Sequence, residues 1–255
     1  MKILYDHQIF WKQKYGGISR YYVNLINALL KNNIDIEIIS PIYRNKYLHQ
    51  LPAKIIKGTY LKRKPIFLGW LINYLNKRIL LHNIKKKSDC IFHSTYYDCD
   101  LDKNYKNKHV ITIFDTIHEL RRNDPNFLPK KKILEKADKI ICISDVTKNN
   151  LINIYNQDPD KLETIHLGFD HIIYDQLLSF THKRPFLLFV GSREKYKNFL
   201  YFIEQFSKSS QLMRNFDIIL FGGGNITGDE NQKLNFLGYQ KNQIKHYEGS
   251  DQFLF

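Results

Sequence analysis

The chain has 255 residues, 43% of them hydrophobic, which is enough to bury the core of one large or two modest domains and excludes a disordered chain. Basic residues outnumber acidic ones by 39 to 25, and the three cysteines show no repeating spacing. An odd, irregular set of cysteines excludes a disulfide scaffold and favours a reducing compartment.

The positive charge is concentrated in one segment. Twelve lysines and arginines lie between Ile38 and Ser88, and no acidic residue lies there. An AT-rich genome would explain abundant lysine but not the missing acids, so we expect this segment to face an anionic membrane surface or an acidic substrate. Residues 62–87 combine basic clusters with apolar side chains, which suits a helix lying at an anionic lipid surface. The alternative is that the apolar side chains pack inward and only the charges face out.

Short apolar runs alternate with helical periodicity, which predicts an α/β fold with a parallel, doubly wound sheet. The first strand spans Lys2–Tyr5, and a helix follows in which Ile18, Tyr22, Leu25 and Leu29 share one face. Further strands are predicted at Ile34–Ser40, Asp89–His93, His109–Phe114, Lys139–Ser144 and Leu162–Leu167. Helices are predicted at Pro129–Ala137 and at Asp145–Tyr155, the second with Ser144 as its N-cap.

The pattern changes after residue 167. Residues 168–184 are polar and irregular, which predicts a linker between a first domain at 1–167 and a second at 185–255. In the second domain we expect strands at Phe186–Val190, Asp217–Phe221 and Ile244–Tyr247, with a helix at Asn198–Lys208. About 70 residues make only half of such a domain, so we expect this one to be incomplete.

Candidate site residues of the first domain follow predicted strands, because ligands of open parallel sheets bind at the carboxyl ends of strands. Gly16 and Gly17 open the first long helix, where they either admit a phosphate to the helix N-terminus or simply form a tight turn. Asp115 and His118 follow the strand that ends at Phe114 and are candidate catalytic groups. For His118, as for His93 on the preceding strand, a hydrogen-bonded structural histidine is the alternative.

Two cations follow the first strand of the second domain. Arg193 and Lys197 flank a short loop that opens a helix, a combination that suits a pyrophosphate and would stabilise a departing nucleotide. The alternative is a solvated basic loop. Gly222–Gly224 ends the next strand, and we interpret it as structural. Cys90, His93 and Cys99 lack a fourth ligand and zinc-type spacing, so we expect no metal site.

In this order, these motifs resemble retaining glycosyltransferases of family 4, and in particular their polysaccharide mannosyltransferase-like members. That family has the GT-B fold of two Rossmann-like domains. The resemblance rests on five stretches that span essentially the whole chain: Lys2 through Gly16-Gly17-Ile18-Ser19-Arg20, Asp115-Thr116-Ile117-His118-Glu119, Ala137 through Ser144, Leu188 through Asn198, and His246 through Asp251.

The resemblance implies transfer of a hexose from a nucleotide sugar, with retention of anomeric configuration and without a metal or other cofactor. The donor would bind the second domain and a glycan or lipid-linked acceptor the first. Gly16 and Gly17 would lie near the donor phosphates, Arg193 and Lys197 would hold the diphosphate, and Gly249 would lie in a loop near the nucleotide base. We also expect Asp115 or His118 to lie between the domains, within reach of the transferring sugar.

Two departures from the family pattern matter. Phe114-Asp115 stands where many members have His-Asp, so the usual histidine is absent. The family's closing motif, with its two glutamates, is also missing, and we interpret Glu248 as part of the loop before it. We therefore expect a C-terminally truncated enzyme that does not transfer sugar by itself.

Other functions stay open at this point. The chain could be an inactive remnant of such an enzyme, or a nucleotide-sugar epimerase, which shares the two-domain architecture. A nucleic-acid partner is not expected, because the tyrosines and phenylalanines occupy core positions of the predicted elements rather than an exposed stacking platform. We expect a cytoplasmic protein with peripheral contact at the inner face of the membrane.

Overall fold

The computed structural model describes residues 1–65, 67–98, 101, 105–120, 130–169, 182–193, 197–239 and 244–247, and the statements below concern these residues. The chain divides into two compact units, Met1–Phe169 and Asp170–Phe255. Most of the predicted linker at 168–184 lies outside the described residues.

The first unit is built on a seven-stranded parallel sheet. Its strands, in chain order, are β1 (Lys2–Tyr5), β2 (Asp35–Tyr43), β3 (Ile56–Tyr60), β4 (Cys90–Ser94), β5 (Lys108–Ile113), β6 (Lys139–Cys142) and β7 (Leu162–Thr164). They lie side by side in the order β3-β2-β1-β4-β5-β6-β7. The order runs outward from β1 in both directions, so the predicted doubly wound α/β class is confirmed.

Six α-helices accompany this sheet in the described residues: α1 (Gln8–Lys12), α2 (Gly17–Lys31), α3 (Gly69–Lys85), α4 (Ile117–Leu120), α5 (Lys131–Lys136) and α6 (Asp145–Tyr155). Short 3-10 turns lie at Tyr47–Gln50, Ala53–Ile55 and Pro159–Lys161. The predicted cap of α6 is confirmed, because Ser144 Oγ accepts a hydrogen bond from the Thr147 N–H.

Alternating side chains of the strands feed two separate cores, one on each face of the sheet. Leu4 joins the core that packs against α3 and α6, whereas Tyr5 joins the core beneath α1 and α2. The residues predicted to share one face of α2 lie on its core side, since Tyr22 is fully buried and Ile18 and Leu29 pack against the same core. The fully buried residues are Ser19, Tyr22, Val23 and Ile26, and the apolar face is wide enough to leave Ile18, Leu25 and Leu29 half-buried at its margins.

The second unit contains a three-stranded parallel sheet in the order β10-β9-β8. The strands are β8 (Phe186–Val190), β9 (Asp217–Phe221) and β10 (Ile244–Tyr247), and the helices are α7 (Phe199–Ser207), α8 (Ser210–Asn215) and α9 (Gly228–Phe236). Phe199, Ile203 and Leu234 pack on Ile218 and Leu220 to form its core. Across the described parts of both units, none of the helices has the length and apolar character needed to cross a membrane.

Candidate functional site

The carboxyl ends of β1, β4 and β5 lie side by side at one edge of the large sheet. Asp6, fully buried after β1, accepts hydrogen bonds from the backbone N–H groups of Gln8 (3.1 Å) and Thr95 (3.2 Å) and from both of their side chains. Burial raises the pKa of Asp6 to about 6. This carboxyl group therefore joins the ends of β1 and β4 and fixes the edge where a ligand is expected.

The predicted catalytic residues, Asp115 and His118, lie directly beyond β5 at the same edge. The half-buried Asp115 carboxylate accepts a hydrogen bond from the Ile117 N–H at 3.3 Å, which starts α4. His118 lies within α4 and is half-buried as well. One short turn thus carries both side chains, and their catalytic role stays a prediction.

Sequence reasoning missed the ion pair behind this turn. Lys130 Nζ lies 2.7 Å from Glu119 Oε1, and the two side chains are only 2% and 1% exposed. The same ammonium group donates to the Asp115 carbonyl oxygen at 2.8 Å, and Tyr155 Oη donates to Glu119 Oε1 at 3.1 Å. Lys130 therefore holds both ends of the segment that carries Asp115 and His118. No sequence signal distinguishes it from its neighbours Lys131 and Lys132.

Two stacked tyrosines adjoin the turn. The ring centroids of Tyr96 and Tyr97 lie 4.4 Å apart, with Lys12 Nζ 3.9 Å from the first centroid and Lys130 Nζ 4.8 Å from the second. Burial is the main cause that raises the pKa of both phenols, and the charge of Asp115 adds to it. The Asp115 carboxylate therefore acts electrostatically on this aromatic pair.

His93 is a core residue rather than a site residue, as the structural alternative had it. Its ring is 5% exposed, lies between Tyr5 and Tyr22, and places Nε2 3.0 Å from Thr112 Oγ1. Burial lowers the pKa of His93 to about 3, so the imidazole is neutral.

Gly16 and Gly17 lie where the chain enters α2. Gly16 is the N-cap residue of α2 and has no side chain to cap it. The Gln13 side chain does so instead, because its Oε1 accepts a hydrogen bond from the Ser19 N–H at 3.1 Å. A Cβ on Gly16 would overlap the Gln13 carboxamide, whereas a Cβ on Gly17 would meet nothing within 4 Å. Only Gly16 therefore has a packing reason to be glycine, and Gly17 leaves the exposed helix start open.

The side chain of Arg193 is buried, so the alternative of a solvated basic loop is wrong for it. The side chain is 3% exposed, and its Nε donates to Glu230 Oε1 at 2.9 Å. It also donates to the carbonyl oxygens of Gly222 (3.2 Å), Gly224 (2.9 Å) and Asn225 (2.9 Å). These contacts differ from the open diphosphate clamp that the sequence suggested, because the donors are turned toward the protein.

The loop held by Arg193 is the Gly222–Gly224 run after β9. All three glycines have φ between +74° and +76°, which L-residues with side chains rarely adopt, so the structural interpretation of this run has a backbone reason. Lys197, two residues before α7, is exposed. Gly249 lies outside the described residues, as does the rest of its predicted loop after Tyr247, whereas His246 lies in β10.

The family model for "Glycosyltransferase Family 4" matches residues 15–171, which is more than half of the chain. This chain belongs to glycosyltransferase family 4. Gly16, Gly17, Asp115 and His118 of the glycosyltransferase lie inside the matched range, whereas Arg193 and Lys197 lie outside it. No curated protein matches the glycosyltransferase sequence at a significant level.

Solved structures similar to this glycosyltransferase agree with the GT-B assignment of its fold. A glycosyltransferase from Rickettsia africae is 18% identical, with a TM-score of 0.59 over 98% of this chain and 69% of its own. HepE of Anabaena, solved with UDP-glucose, is 14% identical, with a TM-score of 0.66 over 99% and 70%. A candidate UDP-N-acetylglucosamine 2-epimerase from Listeria monocytogenes is 13% identical, with a TM-score of 0.55 over 98% and 69%. Because the epimerase shares the fold, the family match and not the fold separates the two activities.

Proposed function

We propose that this glycosyltransferase moves a hexosyl group of the glucose or mannose type from a nucleotide sugar to a glycan or lipid-linked acceptor, with retention of configuration. The observation that carries the proposal is the family match over residues 15–171, which includes the turn of Asp115 and His118. The similarity to HepE, which was solved with UDP-glucose, makes a UDP-sugar the first donor to test.

In this proposal the carboxyl edge of the large sheet serves the acceptor and the transferring sugar. Asp115 and His118 are the candidate groups nearest the reaction, on a turn that Lys130 holds from behind. The exposed start of α2 at Gly17 gives backbone N–H groups a route to a donor phosphate. In the second unit, Lys197 is the candidate diphosphate contact, and Arg193 shapes the glycine loop beside it.

The test is a donor screen with the purified chain beside a version extended through the family's closing glutamate motif, in which we expect the transfer, since the chain by itself is not expected to transfer sugar. UDP-glucose, UDP-N-acetylglucosamine and GDP-mannose are offered with a mixture of glycan and lipid-linked acceptors, and products are identified by mass spectrometry. We expect Asp115→Asn and His118→Gln to lower transfer about 100-fold or more. Asp160→Asn, an exposed aspartate on the 3-10 turn at Pro159–Lys161, is the matched control and should leave transfer unchanged. Full activity in both variants would remove the two residues from the site.

The epimerase alternative has its own arm in the same screen. Each nucleotide sugar is incubated with the protein and no acceptor, and the product is analysed for inversion at a ring carbon. A transferase gives at most slow hydrolysis under these conditions. Stoichiometric conversion to an epimer without an acceptor would contradict the proposed reaction.

Peripheral contact with an anionic membrane is the second part of the proposal, and the exposed face of α3 supports it. Ile72, Asn76, Leu80 and Ile84 form the buried stripe of this helix. Phe67 (85% exposed), Trp70 (73%) and Tyr74 (53%) face solvent around its N-terminus, so the alternative that only charges face out is wrong for them. Lys62, Arg63 and Lys64, all exposed, precede the helix.

Vesicle co-sedimentation tests this contact. Binding should rise with the fraction of anionic lipid and fall with salt, since each lysine near the surface contributes about 1 kcal/mol. Trp70→Ala should weaken it, whereas Phe236→Ala, which removes an aromatic ring that is 83% exposed in the second unit, should not. Equal binding to neutral vesicles, or equal effects of the two substitutions, would contradict the assignment.

A further inference from the structure

A cavity of about 450 Å³ opens at the amino edge of the large sheet. Its lining includes Lys87 and Ser88, which come just before β4, and Lys106 and Asn107, which come just before β5. The candidate catalytic turn follows the carboxyl end of β5, so the cavity lies at the opposite edge of the sheet from it. Small-molecule sites usually occupy about 300–1,000 Å³, and this cavity is large enough to be one.

The inner wall of the cavity is apolar and continuous with the core of the first unit. Ile84 and Leu101 are core residues that are 1% and 4% exposed, and Leu81 and Tyr105 pack against the same core. The Tyr105 ring meets the Phe92 ring at a steep angle, with the centroids 6.1 Å apart. A hydrocarbon chain in the cavity would therefore contact apolar side chains both of α3 and of the segment that leads to β5.

Hydrogen bonds to the main chain fix the walls of the cavity. Asn107 Nδ2 donates to the Lys87 carbonyl oxygen at 2.7 Å, and Asn107 Oδ1 accepts from the Cys90 N–H at 3.4 Å, which joins the segments before β4 and β5. Lys136 Nζ donates to the Leu101 carbonyl oxygen at 2.6 Å. The cavity is thus bounded by main-chain segments that are connected to each other and to α5.

Four lysines line the same cavity: Lys85, Lys86, Lys87 and Lys106. Lys87 is paired, since its Nζ lies 2.8 Å from Glu37 Oε2. The other three are exposed, and no acidic side chain is among the described residues that line the cavity. The last turn of α3 contributes about half a negative charge, which three ammonium groups exceed. The cavity therefore combines an apolar inner wall with a positively charged opening.

We propose that this cavity binds an anionic amphiphile, a molecule with an apolar chain and an acidic headgroup such as a phosphate monoester. The chain would contact the apolar wall, and the headgroup would meet the ammonium groups of Lys85, Lys86 and Lys106. The wall alone would suit a neutral hydrocarbon and the lysines alone a free anion, whereas a molecule with both parts matches the whole lining. The cavity is separate from the candidate catalytic turn, so the inference does not rest on the proposed function.

Titration calorimetry of the full chain tests the site with octyl phosphate, used below its critical micelle concentration. Inorganic phosphate and 1-octanol are the comparison probes, because each offers one half of the chemistry of octyl phosphate. We expect one equivalent of octyl phosphate to bind about tenfold more tightly than either comparison probe, since only octyl phosphate gains both apolar contact and charge pairing.

The variant Lys86→Gln/Lys106→Gln should weaken the binding of octyl phosphate about tenfold, because it removes two of the charges at the opening. The matched control is Lys62→Gln/Lys64→Gln, which removes the same charge from two exposed lysines before α3 and should leave binding unchanged. Leu81→Gln, at a half-buried position of the inner wall, should weaken the binding of octyl phosphate but not that of inorganic phosphate. If Leu81→Gln does not fold, the comparison with 1-octanol and inorganic phosphate still tests the wall.

Equal losses in the lysine variant and its control would show a general charge effect and overturn the site. Binding of either comparison probe as tight as that of octyl phosphate would overturn the amphiphile, and displacement of octyl phosphate by excess UDP would place it at the donor site instead. Dihexanoyl phosphatidate, a soluble two-chain lipid, identifies the source. Tighter binding of phosphatidate than of octyl phosphate supports a membrane phospholipid as the ligand, and the reverse order supports a single-chain ligand. Failure of sugar transfer in the donor screen leaves these outcomes unaffected.

Discussion

Each unit fixes a loop at the end of a strand with one buried cation–carboxylate pair, but the two pairs finish their hydrogen bonding differently. In the second unit, the Arg193 guanidinium donates hydrogen bonds to Glu230 and to three carbonyl oxygens. Glu230 Oε2 also accepts a hydrogen bond from the Thr227 N–H at 2.8 Å. In the first unit, Lys130 reaches one oxygen of Glu119 and one carbonyl, and Glu119 Oε2 is buried without a partner among the described residues.

The difference shows what each kind of cation can do at a loop. A guanidinium satisfies several acceptors in fixed directions and shapes the backbone around it, whereas an ammonium acts as a point charge and leaves part of its partner unsatisfied. In the first unit, the unpaired Glu119 Oε2 therefore costs free energy beside the candidate catalytic turn. In the second unit, both carboxylate oxygens of Glu230 have hydrogen-bond donors. Such uncompensated polar groups are commoner at functional sites than elsewhere.

The largest expected difference between the two units is in their stability at acid pH, where the first unit should unfold before the second. Burial lowers the pKa of His7 and His109 to about 4 and that of His93 to about 3, against an ordinary value of 6.5. The folded first unit thus favours neutral imidazoles, and its stability is lost as pH falls from 6.5 toward those values. Each histidine costs on the order of 3 kcal/mol at pH 4.

Two carboxyl groups complete the acid comparison. The pKa of Asp6 is raised to about 6, so its protonation stabilises the fold as pH falls from 6 toward 3.8 and offsets roughly one of the three histidines. The pKa of Glu230 is lowered below 4.5 despite its desolvation, because Arg193 and the Thr227 N–H stabilise the carboxylate, so the second unit loses this contribution only below pH 4.5.

Tryptophan fluorescence reads the first unit alone, because Trp11 and Trp70 are the only two tryptophans. We expect its acid transition between pH 6.5 and 4, ahead of the loss of helical circular dichroism from the second unit. His109→Gln, which keeps a polar atom for Ser94, should move the transition to lower pH. A native fluorescence signal that persists at pH 4 would contradict the buried neutral histidines.

Removing Lys130 should cost nearly as much. Lys130→Met leaves the Glu119 carboxylate buried with only the Tyr155 hydroxyl, and breaking a buried pair in this way costs about 3–5 kcal/mol. Urea unfolding followed by tryptophan fluorescence measures it. The matched control, Lys131→Met, removes a lysine that is 69% exposed and only 4.0 Å from Glu135, and should cost less than about 0.5 kcal/mol. Equal losses in the two variants would show that the pair does not hold the turn.

Arg193→Lys tests the planar guanidinium group of Arg193, and it should lower stability less than Lys130→Met does. The charge stays, but the carbonyl oxygens of Gly222, Gly224 and Asn225 cannot all be reached, so we expect a loss of about 1–3 kcal/mol that is local to this loop. Hydrogen exchange of residues 221–230 should accelerate, while tryptophan fluorescence of the first unit stays unchanged. Arg214→Lys, at an exposed arginine bonded within its own helix, is the control. Unaltered exchange at the glycine loop would contradict the positioning role.

The sequence predicted the positions of strands and helices better than it predicted which side chains pair with each other. The strands Lys2–Tyr5, Phe186–Val190 and Asp217–Phe221 end where they were expected, because each is a short apolar run with turn residues after it. β3 was not predicted, since Lys57 and Gly58 interrupt its apolar run and only its pairing with β2 makes it a strand. Partners such as Lys130 for Glu119 and Glu230 for Arg193 depend on how distant segments meet, and neither periodicity nor composition carries that information.

The smallest effects should come from the two helix caps, and they extend the comparison to single hydrogen bonds. Ser144 Oγ caps α6 through the Thr147 N–H, and Thr227 Oγ1 caps α9 through the Glu230 N–H, both at 3.2 Å. In α9 the reciprocal bond from the Thr227 N–H to Glu230 survives Thr227→Ala, and Arg193 still holds that carboxylate. Ser144→Ala has no such support, so we expect it to cost about 1 kcal/mol and Thr227→Ala about half of that. Urea unfolding of the first unit and hydrogen exchange of α9 give the two values. If Thr227→Ala proves the costlier change, the Thr227 cap and not Arg193 fixes the start of α9. The contacts of Arg193 with Glu230 would then stabilise this helix less than their number indicates.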